Sequence, residues 1–184
     1  CLGNTSDERV SAKVDICRDP FIRGISQALN FAVLTEVIEA WRYRIDIFIL
    51  CVDRDGNADR RQALNDRETK AQKLLKNGAV FLAENAWQEI EVWVLAGHDL
   101  PRHWKWGAIR SDPHPKETYF MPFAKTRGLD DGRKLLGAEA AGRYSKVRQK
   151  CKRDIQVLEL RIKHWLEQQT ILAWEDANEQ ICKA

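Results

Sequence analysis

Two aspartates one residue apart, Asp53 and Asp55, stand at the end of the run "IDIFILCVDRDGN", residues 45–57. Two carboxylates facing one space repel each other, and their ionised form calls for protons or a cation. Mg²⁺ (or Mn²⁺) suits such a pair: a hard ion, held by one or two carboxylates with waters and substrate phosphate around it. The competing reading of the same residues is a turn. In it Asp55 caps the helix that follows from Asp59, and Asp53 caps the turn itself. A calcium loop of the EF-hand kind is excluded, because position twelve counted from Asp53 is Leu64 rather than Glu.

The elements around the pair set its place. Ile45 to Val52 is nearly all apolar and β-branched, which fits a strand covered on both faces, as in a parallel sheet. In such sheets, sites lie beyond the carboxyl ends of the strands. Residues 10–16, "VSAKVDI", alternate loosely and predict a first strand. The apolar spacing from Phe21 to Trp41 predicts one amphipathic helix. Asp59 to Lys76 reads as a polar helix ended by Asn77-Gly78. "AVFLA", residues 79–83, reads as a further strand. Residues 85–97 read as a helix that Gly97 ends, with Trp87 and Trp93 largely buried. Strand and helix thus alternate, which is the α/β pattern. Residues 98–132 hold four of the five prolines and predict a partly irregular excursion. From Arg143 to Gln168 a single long helix is expected, with Tyr144, Val147, Cys151, Ile155, Leu158, Ile162 and Trp165 on its apolar stripe. The predicted fold is α/β, a mostly parallel sheet flanked by helices with a long basic C-terminal helix. The core would be residues 1–97; residues 98–184 would be an excursion and helical extension packed on it.

Charge follows the same division. Residues 1–97 carry 13 Lys/Arg against 15 Asp/Glu, residues 98–163 carry 16 against 8, and residues 164–184 carry 1 against 4. The basic middle segment suggests an anionic partner such as nucleic acid. Lys146, Lys150 and Arg153, on the polar face of the long helix, are the candidate phosphate contacts. No apolar run approaches the roughly 20 residues of a membrane span, so no membrane partner is expected. The five cysteines are odd in number and form no Cys-x-x-Cys pair. They point to a reducing cytoplasm and to small core side chains. The four histidines show no metal spacing, and His98 and His103 read as loop residues.

A haloacid-dehalogenase-type phosphatase also begins with Asp-x-Asp-Gly after an apolar strand, with the first Asp as nucleophile. That motif normally sits in the first strand and continues with a hydroxyl residue, where this chain has Asn57. The ordered set "IFILCVDRDGN", "AVFLAENAWQEIEVWVLAG" and "DPHPKE", leading on to "GLDDGRKLLGAEAAGRYSKVRQKC", instead resembles a small TOPRIM-like family of bacterial proteins. That family is often encoded beside an ABC-type ATPase in phage-defence loci. The likeness spans roughly residues 45–160. It implies a TOPRIM-like sheet and a Mg²⁺-dependent nuclease subunit acting on DNA or RNA. Asp53 and Asp55 would be metal ligands, and the Glu-x-Glu-x-Trp of Glu89, Glu91 and Trp93 would border them. On a helix only one of the two glutamates reaches the pair. Glu89, nearer the core, is the candidate catalytic residue, and Glu91 a further candidate for ligand or base. The family opens with a strand ending in Glu-Gly. Here the nearest match is "LGNTSDER", with Leu2 in the Glu position, so Glu8 is another candidate ligand or base. Otherwise the first strand precedes Cys1, or the site lacks that carboxylate. An Asp is common in the family where Gly97 stands. The resemblance also implies an ABC-type ATPase partner, with homo-oligomers inside a larger complex. A non-catalytic interaction subunit docked on the ATPase is the alternative from a different class.

Overall fold

The computed structural model describes residues 12–182, with side chains through residue 171. Glu8 and the start of the expected first strand lie outside the described residues. Among those described, the sheet has two strands, β1 (Ile47–Asp53) and β2 (Val80–Ala86). They pair in parallel with Ile47 opposite Val80 and Asp53 opposite Ala86. Helices α1 (Gly24–Ala28) and α2 (Phe31–Trp41) precede β1, and α3 (Arg60–Gln72) joins the strands. Leu34, Val37, Ile38, Phe48, Val52, Leu64, Ala71, Phe81 and Ala83 close one core around this α/β unit. No described helix is long and apolar enough to cross a membrane.

A two-stranded sheet leaves β2 with an outer edge of unpaired backbone groups, which a protein must cover. The side chains of α3 do so. Gln72 donates to the Ala79 carbonyl (2.9 Å) and accepts from the Phe81 N–H (3.1 Å), and Glu68 accepts from the Ala83 N–H (2.9 Å). Arg61 and Arg161 both donate to the Ala83 carbonyl, at 2.7 and 3.2 Å. The match is one of pitch. Four helical residues rise about 6 Å and two strand residues about 6.6 Å, so Gln72 and Glu68 reach alternate outward groups of β2. The strong polarity of α3 is therefore structural on this face. Behind it, buried Glu84 of β2 pairs with Arg61 (2.8 Å) and Arg161 (3.6 Å), and Arg161 also pairs with Glu68.

The second half is more helical than its prolines suggest. It contains α4 (Glu91–Ala96), α5 (Trp106–Ser111), a π-helical turn (Lys116–Phe120) running into α6 (Met121–Thr126), and α7 (Arg133–Gly142). Then come α8 (Tyr144–Lys150) and α9 (Ile155–Cys182). Pro115 and Pro122 sit at helix starts, where a missing N–H costs nothing. Leu95, Ile109, Phe120, Phe123, Ala124 and Leu136 form a second core; Ala96, Ala140, Val147, Cys151 and Ile155 form a third. His98 lies on the loop after α4, as expected, but is buried, with Nε2 3.0 Å from the Leu136 carbonyl oxygen. Gly97 is required by packing: a Cβ there would lie 2.6 Å from Cα and Cβ of Ala140 on α7.

Five further expectations are corrected. Residues 12–16 form no strand, and Val14 and Ile16 stand exposed, paired with no strand among the described residues. The helix expected over 21–41 breaks at Leu29-Asn30, because the Asn30 side chain accepts from the Ala32 N–H (3.0 Å) and starts a new helix. The helix expected over 85–97 begins only at Glu91. Asn85 and Ala86 still pair with β1, and Gln88 turns the chain at φ 70°. The long basic helix expected over 143–168 is two helices, α8 and α9, broken between Cys151 and Asp154. Trp87 and Trp93 are half-buried rather than largely buried.

If α3 stands in for a third strand, Glu68→Leu orphans the buried Ala83 N–H and should cost about 1–3 kcal/mol in urea unfolding. Glu68→Gln keeps an acceptor and should cost clearly less. Equal costs for the two would show that the edge contact contributes nothing.

Candidate acidic site and its basic flank

β1 delivers Asp53 to the carboxyl end of the sheet. The next four residues turn, with Asp55 at φ 51° and Gly56 at φ 66°. Asp53 and Asp55 therefore do not share one extended segment. Gln88 fixes this turn from β2: its carbonyl accepts from the N–H groups of Arg54 (2.7 Å) and Asp55 (3.1 Å), and its side chain accepts from Gly56 N–H (3.0 Å). Asp53 Oδ1 accepts from the Ile90 N–H at 2.7 Å, so the two turns hold each other. Glu89 lies in the second turn, not on α4. Its Oε2 accepts from the backbone N–H of Lys116 at 2.7 Å. Glu91 opens α4 and pairs with Arg133 of α7 at 3.0 Å. Asp55 is exposed, with Arg60 at 3.7 Å.

The charges interact. Burial pushes the Asp53 carboxyl above the ordinary carboxylate range, and Glu91 and Asp55 push it further, against the Ile90 N–H and Lys116. Burial likewise raises Glu89, with Glu117, Glu91 and Asp53 adding to it against the Lys116 N–H. The guanidinium of Arg133 is held more firmly protonated by its hydrogen bond to Glu91. Carboxylates from β1 and the β2–α4 turn thus form one electrostatic group, with Lys116 and Arg133 as cations on its border. Residues 112–117, singled out in the sequence, reach the group through Lys116. Gln88 and Arg133 were not legible: a positive φ at Gln leaves no signature, and Arg133 lies 42 residues from its partner.

The described residues include no group of three or more His, Cys, Asp or Glu placed to hold a metal ion. Asp53 keeps Oδ2 clear of its bond to Ile90, and Asp55 is open to solvent. This donor chemistry fits a Mg²⁺ that takes two carboxylates and completes its shell with water and phosphate. It does not fit a closed all-protein cage, because Glu89 and Glu91 are engaged elsewhere.

Of the candidate phosphate contacts, Lys146 is paired with Asp99 at 2.8 Å. Lys150 and Arg153 instead line a cavity of about 290 Å³ with Trp87, Arg110 and Lys152. Burial is the main reason that the part-buried Cys51 thiol is pushed up to about 11 and the buried Cys151 thiol to about 12.

An acid whose pKa is raised by folding holds its proton to higher pH in the folded chain than in the unfolded one. Stability therefore falls as pH rises between the ordinary carboxylate value and the raised one, and the penalty is complete above it. Asp53→Asn keeps the Oδ1 acceptor for Ile90 and removes the charge. It should raise the Tm at neutral pH, and that gain should vanish below the ordinary carboxylate range. A Tm lowered equally at both pH values would contradict the charge cluster. Compared with known families, curated proteins and solved structures, the chain shows no significant match to any of them.

Proposed function

We propose that this chain is a Mg²⁺-dependent nuclease subunit with a TOPRIM-like sheet, working with an ABC-type ATPase in bacterial anti-phage defence. The observation that supports it is the half-buried Asp53 at the carboxyl end of a parallel strand, within a group of like charges that raises its pKa. Asp53 and Asp55 would hold the ion. When bound, Mg²⁺ would polarise a phosphoryl oxygen and lower the pKa of water. Glu89, on the neighbouring turn and with its proton affinity raised by burial, suits a general base. Lys116 and Arg133 place positive charge beside the group, where an anionic phosphodiester needs it.

A second reading has its own support. Glu89 is bonded to the Lys116 N–H and Glu91 to Arg133, and no three-ligand group exists among the described residues. A chain of that kind would keep the fold and serve as a non-catalytic interaction subunit of the ATPase complex.

Plasmid, linear DNA and tRNA incubated with the full chain separate the two. The nuclease reading expects cleavage that needs Mg²⁺ or Mn²⁺ and falls about 100-fold or more in Asp53→Asn and in Glu89→Gln. The rate should rise as pH rises through the raised pKa of Glu89, and Glu89→Gln should flatten that limb. Substrates left intact, or cut equally by Asp53→Asn, would favour the interaction subunit.

A further inference from the structure

The chain breaks its C-terminal helix between α8 and α9, and the residues at the break face two ways. Asp154 turns inward and is buried, while Lys152 and Arg153 beside it are exposed. Asp154 accepts from the Trp87 N–H (3.2 Å), from Nε1–H of Trp93 (2.6 Å) and from Arg110 (3.2 Å). This one carboxylate gathers the β2–α4 turn, α4, α5 and the α8–α9 joint at a single point. Above it opens the cavity of about 290 Å³, lined by Trp87, Arg110, Lys150, Lys152 and Arg153.

The charge of that cavity is one-sided. Among the described residues no carboxylate lies within ion-pair distance of Lys150, Lys152 or Arg153, and the only acid beneath is Asp154, matched to Arg110. Burial, with the nearby Lys146, pushes the Lys150 ammonium down against the opposing pull of Asp99. Trp87 carries a fifth cation: the Arg54 guanidinium sits 4.1 Å from its ring centroid. Arg54 directly follows Asp53, and Trp87 precedes Glu89 by two residues, a span of about 7 Å at full extension. The aromatic wall of the cavity, Trp87, therefore stands on the same turn as Glu89, while its cations come from α5 and the α8–α9 joint.

We propose that this cavity seats a phosphate of a nucleic-acid strand and leads that strand to the acidic site, with Lys152 and Arg153 as its outer contacts. The assignment rests on the nucleic-acid reading above and deepens it by naming where the substrate is held. Lys146, neutralised by Asp99, plays no part in it. A cavity with four cations and one aromatic wall suits a phosphodiester beside a base. An acidic protein segment offers the charge without the ring.

The test is fluorescence anisotropy of a labelled single-stranded 12-mer on the full chain in EDTA, across a NaCl series, so that binding is read without cleavage. The double variant Lys152→Glu/Arg153→Glu changes only exposed side chains. It should weaken binding at least tenfold and reduce the salt slope by roughly 1.4, two contacts on a single strand. Lys125→Glu, on exposed α6, should leave both at wild-type values. Inorganic phosphate and polyglutamate of equal charge should compete at least tenfold more weakly than unlabelled 12-mer. Wild-type affinity and slope in the double variant would overturn the assignment, as would absence of binding by the wild-type chain. Equal competition by polyglutamate would overturn it in favour of an acidic protein partner, and equal competition by inorganic phosphate in favour of a free anion. Asp53→Asn separates the two readings. A loss of cleavage there with binding unchanged supports both, whereas cleavage by wild type with a slope unmoved by the double variant sinks the cavity alone.

Discussion

The carboxylate of Asp154 is buried and accepts from a backbone N–H, an indole N–H and a guanidinium on three other segments. A buried charge of this kind is tolerable only when paired and fully hydrogen-bonded. Removing either it or Arg110 would leave the other uncompensated. That condition fixes where the helical second half meets the sheet. Trp87, Gln88 and Glu89 follow one another directly, so the anchor at Trp87 also places the turn that clamps Asp53 and Asp55. Asp154 makes these bonds from the break between α8 and α9.

The α/β unit solves a separate problem. With two strands among the described residues, β2 has an edge that backbone pairing leaves open, and α3 closes it with Gln72, Glu68 and Arg61. Closing the edge with side chains keeps it from pairing with another chain. It also brings buried Glu84 and Arg161 of α9 to the same place.

Much of this was legible in the sequence, and what was not has physical causes. The run ending in Val52 announced β1; Asn77-Gly78 does form a turn before β2, but α3 ends at Gln72 rather than at Lys76. The apolar stripe Val147, Cys151, Ile155 correctly gave an inward face, since all three are buried. Periodicity could not show that the helix breaks inside that stripe. Asp154, at the break, meets donors from positions 87, 93 and 110, all distant from it in the sequence. Glu89 was assigned to a helix because its neighbours have helical spacing; a left-handed Gln88 carries no sequence signal. The prolines suggested irregular chain, yet two of them start helices. Gly97 read as a stop signal, and α4 does end there; what the sequence did not show is that it also lets α4 and α7 touch.

The central claim is that a two-carboxylate group at the end of β1 acts on a phosphodiester held beside it. A divalent ion with so few protein ligands depends on phosphate to complete its shell. Ion and strand must then strengthen each other's binding by the same factor. The direct measurement is calorimetric titration of Mn²⁺ into the full chain, alone and with a phosphorothioate oligonucleotide that resists cleavage. The account expects tighter Mn²⁺ binding with the oligonucleotide present and no such gain in Asp53→Asn. Identical Mn²⁺ affinity with and without the oligonucleotide, or an undiminished gain in Asp53→Asn, would contradict it.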